Sequence, residues 1–291
     1  MSVSVVGVVG AGFMGSGIAE SVAAAGKQVV VYEPEQAPLD HSRKRLDSSV
    51  QKAVERGKLE EDAAAALKER LTYTTRLDDL AGAQAVIEAA VENPAIKGEL
   101  FKQMDAAFPE ALFIASNTSS IPIGTLAART SRPERVLGLH FFSPVPVMKL
   151  VEVVVALDTG EQALAAAEEF ATEIGKTAIR SKDRAGFVVN LLLCPYLAAA
   201  IRMYEQGAAT PEDIDTGMKL GCGHPMGPLE LSDFIGLDVL EAVCDSLYDE
   251  FKLPEYAPPP LLRRMVAAGH FGRKSGRGFY DYAPATAGKE A

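Results

Sequence analysis

A histidine and a glutamate carry the most chemistry in this sequence, and the segment between them says how they could meet. The stretch VLGLHFFSPVPVMKLVE spans residues 136–152. It opens as an apolar strand reaching His140 and turns through a Pro-rich corner, Ser143-Pro144-Val145-Pro146. A second apolar run, Val147-Met148-Lys149-Leu150-Val151, then ends at Glu152. Two extended runs joined by a corner can double back and bring imidazole and carboxylate together. Such a pair is a general acid/base poised near neutral pH.

A second constellation lies near the start of the chain. A β-branched run, residues 3–9, flows into Gly10-Ala11-Gly12-Phe13-Met14-Gly15. A helical stripe of Ile18, Val22 and Ala25 follows, then a second apolar strand, residues 28–32, ending at Glu33. In this setting Gly10 permits the tight turn, Gly12 lets a pyrophosphate approach the backbone, and Gly15 lets helix pack on strand. The phosphates would rest on the helix N-terminus. Glu33 falls where an acid accepts from the adenosine ribose hydroxyls. An acid there repels a 2′-phosphate, so the expected cofactor is NAD rather than NADP.

The remaining elements must place these groups. Residues 37–70 are polar and helix-forming, with a break expected near Gly57. Their basic residues, Arg43, Lys44, Arg45, Lys52, Arg56 and Lys58, are either a solvated face or a counter-charge for a phosphorylated substrate handle. Strands are expected at 71–75, 85–91 and 112–115. Glu92, Asn117, Ser119 and His140 then lie at strand ends, where a doubly wound sheet gathers its ligands. A helix at 162–174 and a last strand at 177–180 complete this half. Beyond Asp183-Arg184-Ala185-Gly186 the pattern becomes helical, with an apolar segment at 187–205 interrupted by Pro195 and further helices around Leu229, Leu240 and Leu262. The expected architecture is α/β: a Rossmann-type doubly wound domain, 1–183, followed by an all-helical domain, 184–291. Asn190, on the apolar face of the first helix there, is either a local structural hydrogen bond or a polar group aimed at the site. The tail after Tyr282 is expected to fray.

Composition narrows the function classes. The chain has 291 residues, 48% of them hydrophobic, and a net charge of −10. It can bury a substantial core, and it lacks the basic face of a nucleic-acid binder. Cys194, Cys222 and Cys244 fit neither a disulfide framework nor a zinc pattern. With neither a signal peptide nor an apolar run long enough to span a membrane, a soluble cytoplasmic protein is expected.

The blocks GVVGAGFMG, EAAVEN, ASNTSS, LHFFSPVPVMKLVEVV, DRAGFVVNLLL, EDIDTGMKLGCGHPMGPLEL and KSGRGFYDY run through the chain in order. With them the sequence resembles the L-3-hydroxyacyl-CoA dehydrogenases, and among these the short bacterial 3-hydroxybutyryl-CoA dehydrogenases. The resemblance implies reversible oxidation of a (3S)-3-hydroxyacyl-CoA by NAD⁺. It makes His140 the general base and Glu152 its orienting partner, with Ser119 and Asn190 binding the substrate. It sets Glu92, Lys97, Asn117 and Lys274 near the NAD, and Ser49 and Arg56 at the CoA moiety, although a lysine is usual where Arg56 stands. Ser143 replaces an Asn common in relatives, and Glu33 replaces the usual Asp. A homodimer through the helical domain is also implied. The competing readings are a dehydrogenase of a small hydroxy acid without CoA, and a non-catalytic NAD-binding protein.

Overall fold

The computed structural model describes residues 3–282, and the tail expected to fray lies outside them. The chain divides into two compact units between Arg184 and Ala185. In the first, β1 (Val5–Val9), α1 (Phe13–Ala24), β2 (Gln28–Tyr32), α2 (Gln36–Glu55), α3 (Glu61–Glu69) and β3 (Leu71–Thr74) build one half of the sheet. The other half uses β4 (Ala85–Glu88), α4 (Pro94–Ala107), β5 (Phe113–Ser116), α5 (Ile123–Ala127), β6 (Val136–Phe141), β7 (Leu150–Val155), α6 (Glu161–Glu173) and β8 (Thr177–Lys182). The strand order is β3-β2-β1-β4-β5-β6-β7-β8. From β3 to β6 every pair is parallel, β7 runs antiparallel to β6, and β8 is parallel to β7. This is a Rossmann-type sheet, and its order reverses between β1 and β4, where such sheets bind ligands.

Strand alternation sorts the chemistry onto one face. Ile87, Ala115, Leu137, Leu139, Val151 and Val153 belong to the core shared with α1 and α6. Their neighbours Glu88, Ser116, Gly138, His140 and Glu152 therefore point to the opposite face. Register aligns Glu88 with Ser116, Ser116 with Gly138, and His140 with Glu152.

Three local outcomes differ from the sequence expectation, each for a physical reason. The strand expected at 85–91 stops at Glu88, because the Glu88 carboxylate accepts the Ala90 N–H at 2.6 Å and turns the chain. Val147–Lys149 form no strand. The Val147 and Met148 N–H groups both donate to Pro144 O at 3.0 Å, so β7 starts at Leu150 and runs past Glu152. The short helix α5 was not foreseen. Its first N–H groups, at Ile123 and Gly124, donate to the Asp183 carboxylate at 2.8 and 2.7 Å, a cap supplied from far along the chain. The break between α2 and α3 does fall at Gly57, with φ of 63°.

The second unit contains α7 (Val189–Glu205), α8 (Pro211–Cys222), α9 (Pro228–Ile235), α10 (Leu237–Phe251) and α11 (Pro260–Ala267). Leu197, Ile201, Leu229, Leu240, Leu247 and Leu262 form its core. Buried Asp215 accepts the Leu229 and Glu230 N–H groups at 2.8 and 2.9 Å and so caps α9. The three cysteines are free thiols. No helix among the described residues is long and apolar enough to cross a membrane.

Candidate active site

The turn between β1 and α1 is built around absent side chains. Gly10 has φ of 107°, and a Cβ there would lie 2.6 Å from the backbone of Ala89. A Cβ on Gly15 would lie 1.9 Å from Gly10 O, so helix and strand could not close. Gly12 differs: the nearest protein atom to an added Cβ is Ala89 O at 4.0 Å. Nothing among the described residues requires Gly12 to lack a side chain, whereas a ligand approaching the backbone would. Beside it Phe13 is 62% exposed, Met14 is half-buried, and Glu33 Oε2 accepts the Ala11 N–H at 3.0 Å. These residues fit a dinucleotide. Gly15→Ala is expected to weaken NADH binding at least about tenfold and to destabilise the protein by roughly 1–3 kcal/mol, as overpacking does. A fluorescence titration and a denaturant melt measure the two effects, and wild-type values in both would remove the packing role.

His140 and Glu152 meet as adjacent partners across the antiparallel pair. His140 Nδ1 lies 2.6 Å from Glu152 Oε2, and both side chains are buried. A carboxylate at that distance holds the proton on Nδ1, which makes Nε2 the basic nitrogen. Phe142 packs its ring edge against the imidazole, centroids 4.7 Å apart. The corner beyond is pinned from two sides. Lys176, buried ahead of β8, donates from Nζ to Val145 O at 2.5 Å and to Met148 O at 2.8 Å. Val145 packs on α1 at Gly17, where a Cβ would stand 3.1 Å from Val145 Cβ. The corner that follows His140 is thus seated on the helix that follows the glycine turn.

Between these two sites lies a buried charge network. Lys97 is 1% exposed, and its Nζ lies 2.5 Å from Glu88 Oε1, 3.4 Å from Glu92 Oε2 and 3.3 Å from Ala90 O. Glu88, fully buried, also accepts from Ser116 Oγ at 2.6 Å. Glu92 accepts from Thr118 Oγ1 at 2.5 Å, Ser120 Oγ at 2.9 Å and the Ser119 N–H at 3.3 Å. Burial alone would push the Glu92 carboxyl up, but the Thr118 hydroxyl, the Lys97 ammonium and the Ser120 hydroxyl together hold it below the usual value. A depressed folded-state pKa means that the ionised form stabilises the fold above the ordinary carboxylate range, and that this contribution disappears as pH falls through the folded value. Glu92→Gln is therefore expected to flatten the acid side of a Tm-against-pH curve. Parallel acid limbs for variant and wild type would contradict it.

The other expected residues separate into groups. Asn117 joins three strands: its N–H donates to Glu88 O at 2.8 Å and its Oδ1 accepts the Phe141 N–H at 2.9 Å, next to His140. Ser119 is half-buried beside Glu92. Ser49 is committed to α1, its hydroxyl donating to Glu20 at 2.8 Å, while Arg56 is exposed at the end of α2. Asn190 and Lys274 belong to the helical unit. Asn190 is half-buried in the first turn of α7 rather than buried, and Lys274 Nζ lies 2.6 Å from the Asp238 carboxylate. Glu88, Ser116, Thr118 and Lys176 were missed. A charged residue closing an apolar strand, as Glu88 does, was the available signal for the first.

Comparison with known proteins identifies the family of the chain. Residues 5–184 match "3-hydroxyacyl-CoA dehydrogenase, NAD binding domain" and residues 186–282 match "3-hydroxyacyl-CoA dehydrogenase, C-terminal domain". The chain is 56% identical over 283 residues to a 3-hydroxybutyryl-CoA dehydrogenase of Mycobacterium tuberculosis, covering 95% of this chain and 98% of that protein. It is 42% identical to the mitochondrial hydroxyacyl-coenzyme A dehydrogenase of Sus scrofa, covering 94% and 90%. The crystal structure of (S)-3-hydroxybutyryl-CoA dehydrogenase from Ralstonia eutropha superposes with a TM-score of 0.93 at 47% identity, over 97% of this chain and 100% of that one. With both halves matched in order along the glycine turn, the sheet and the helical unit, the chain belongs to the 3-hydroxyacyl-CoA dehydrogenase family, and its first half is that family's NAD-binding domain.

Proposed function

We propose that the protein interconverts a short-chain (3S)-3-hydroxyacyl-CoA, 3-hydroxybutyryl-CoA above all, and its 3-oxoacyl-CoA. NAD⁺, when bound, supplies the hydride acceptor. The protein must supply a proton acceptor and positioning. Nε2 of His140 takes the hydroxyl proton as the carbinol C–H bond breaks, and returns it in the reverse direction. Glu152 fixes the tautomer and stabilises the imidazolium that forms. The observation that carries this reading is the 2.6 Å contact between His140 and Glu152, seated at the carboxyl edge of the sheet. The network of Glu88, Lys97 and Glu92 shapes the floor beside it, with Glu92 and Asn117 nearest the cofactor side. The substrate-side roles of Ser119 and Asn190, and the cofactor role of Lys274, rest on the sequence blocks that contain them. Arg56, exposed and cationic, is suited to the CoA handle.

NADH oxidation with acetoacetyl-CoA, compared with free acetoacetate, tests the reading. Turnover with the thioester alone is expected. Equal turnover of the free acid would favour a hydroxy-acid dehydrogenase, and no turnover of either would leave a binding protein.

The same reading includes a homodimer formed by the helical unit. Leu192 and Leu220 of that unit are 72% and 83% exposed, large apolar side chains that association would cover. Light scattering should give a mass near twice 30.9 kDa, and a monomer at working concentration would refute it.

A further inference from the structure

The glycine turn holds two opposite charges, and only the carboxylate has a role so far. Glu33 Oε2 accepts the Ala11 N–H at 3.0 Å, while Arg45 Nη2 donates to Ala11 O at 2.6 Å. Carboxylate and guanidinium thus grip one residue of the dinucleotide turn from its two backbone ends. Arg45 arrives from α2 together with Ser42, one helical turn earlier. Ser42 Oγ lies 2.8 Å from Ser16 Oγ, and Arg45 Nε and Nη2 each lie 3.3 Å from the same oxygen, in the first turn of α1. Arg45 itself is exposed, and among the described residues its hydrogen bonds come from Nε and Nη2, not Nη1.

That placement runs against simple electrostatics. The first turn of a helix carries the positive end of its dipole, and a cation there is disfavoured unless an anion accompanies it. Two anions qualify here: the Glu33 carboxylate and the phosphates of a bound dinucleotide. NADP differs from NAD by a phosphate on the ribose hydroxyl that Glu33 would contact, and an Arg nearby is the group that accommodates it. A guanidinium whose Nη1 still has N–H donors to spare can add charge-assisted hydrogen bonds to such a phosphate.

We propose that Arg45 is a second cofactor-binding residue at the adenosine end, and a latent acceptor for a 2′-phosphate that Glu33 alone holds in check. The proposal rests on the NAD site and is independent of the acyl-CoA chemistry, so its test uses binding rather than turnover. Dissociation constants for NADH and NADPH are measured by fluorescence on the wild type, Glu33→Ser, Arg45→Gln, and Glu33→Ser combined with Arg45→Gln or with Arg45→Lys. Gln can still donate to Ala11 O, so this change removes the charge while sparing the turn.

Glu33→Ser is expected to tighten NADPH binding by about tenfold or more while weakening NADH. Adding Arg45→Gln should abolish most of that NADPH gain, and Arg45→Lys should keep part of it, as a point charge without the fork. An NADPH gain that survives loss of Arg45 overturns the proposal. So does a loss of NADH and NADPH affinity by the same factor, which is the signature of a loosened turn. NADH and NADPH affinities left unchanged by every Arg45 substitution would equally overturn it.

Discussion

His140→Gln is expected to lower turnover by about two to four orders of magnitude while leaving NADH affinity unchanged. The substitution isolates one property. A glutamine amide can still donate to Glu152 and fill much of the imidazole's volume, so the buried carboxylate keeps a partner. What disappears is the basic nitrogen. The glycine turn that binds the dinucleotide has its own elements, β1, α1 and β2, so cofactor affinity should survive. Stopped-flow single turnover with acetoacetyl-CoA, beside an NADH titration, measures both quantities. Turnover within a few-fold of wild type would remove His140 from the chemistry. Lost NADH binding would show that the corner 143–148 had moved.

The second large effect is on stability. Glu88→Ala is expected to cost the first unit about 3–5 kcal/mol, as breaking a buried pair from one side does. The Lys97 ammonium would remain inside with only Ala90 O and Glu92 in reach, both more distant than Glu88. The Ser116 hydroxyl and the Ala90 N–H would lose their acceptor as well. Replacing both charges, as Glu88→Leu with Lys97→Met, should recover much of the loss, because no ion is then stranded. Urea unfolding followed by probes in the first unit reads the difference, since a two-unit chain need not melt in one step. A single variant that unfolds at the wild-type midpoint would show that Glu92 alone satisfies Lys97.

Features legible in the sequence were those whose partners lie close along the chain or repeat with a fixed period. The glycine turn needs only its flanking strand and helix. The meeting of His140 and Glu152 follows from two strands and one corner, and alternation fixes which face they share. Lys97 was legible as a cofactor-side residue only through the family resemblance, since none of the matching blocks contains it. By composition alone it reads as an ordinary helix lysine, and nothing local says that Glu88 draws it inside. Asp183 capping α5, and Lys176 holding the corner, are likewise long-range contacts that no short window contains. Ser49 shows the converse case: its hydroxyl is taken by Glu20 on the neighbouring helix, a pairing that spacing along α2 could not reveal.

The order in which the chain is made gives the boundary at Arg184 a further meaning. Every strand of the sheet is complete by Lys182, and the cores of the two units draw on separate, uninterrupted stretches of sequence. The nucleotide-binding half can therefore close its sheet while the helical half is still being translated, which takes roughly 5–20 seconds for about a hundred residues. A ribosome stalled beyond residue 184 should already display a protease-resistant first half, able to capture its dinucleotide before the remainder emerges.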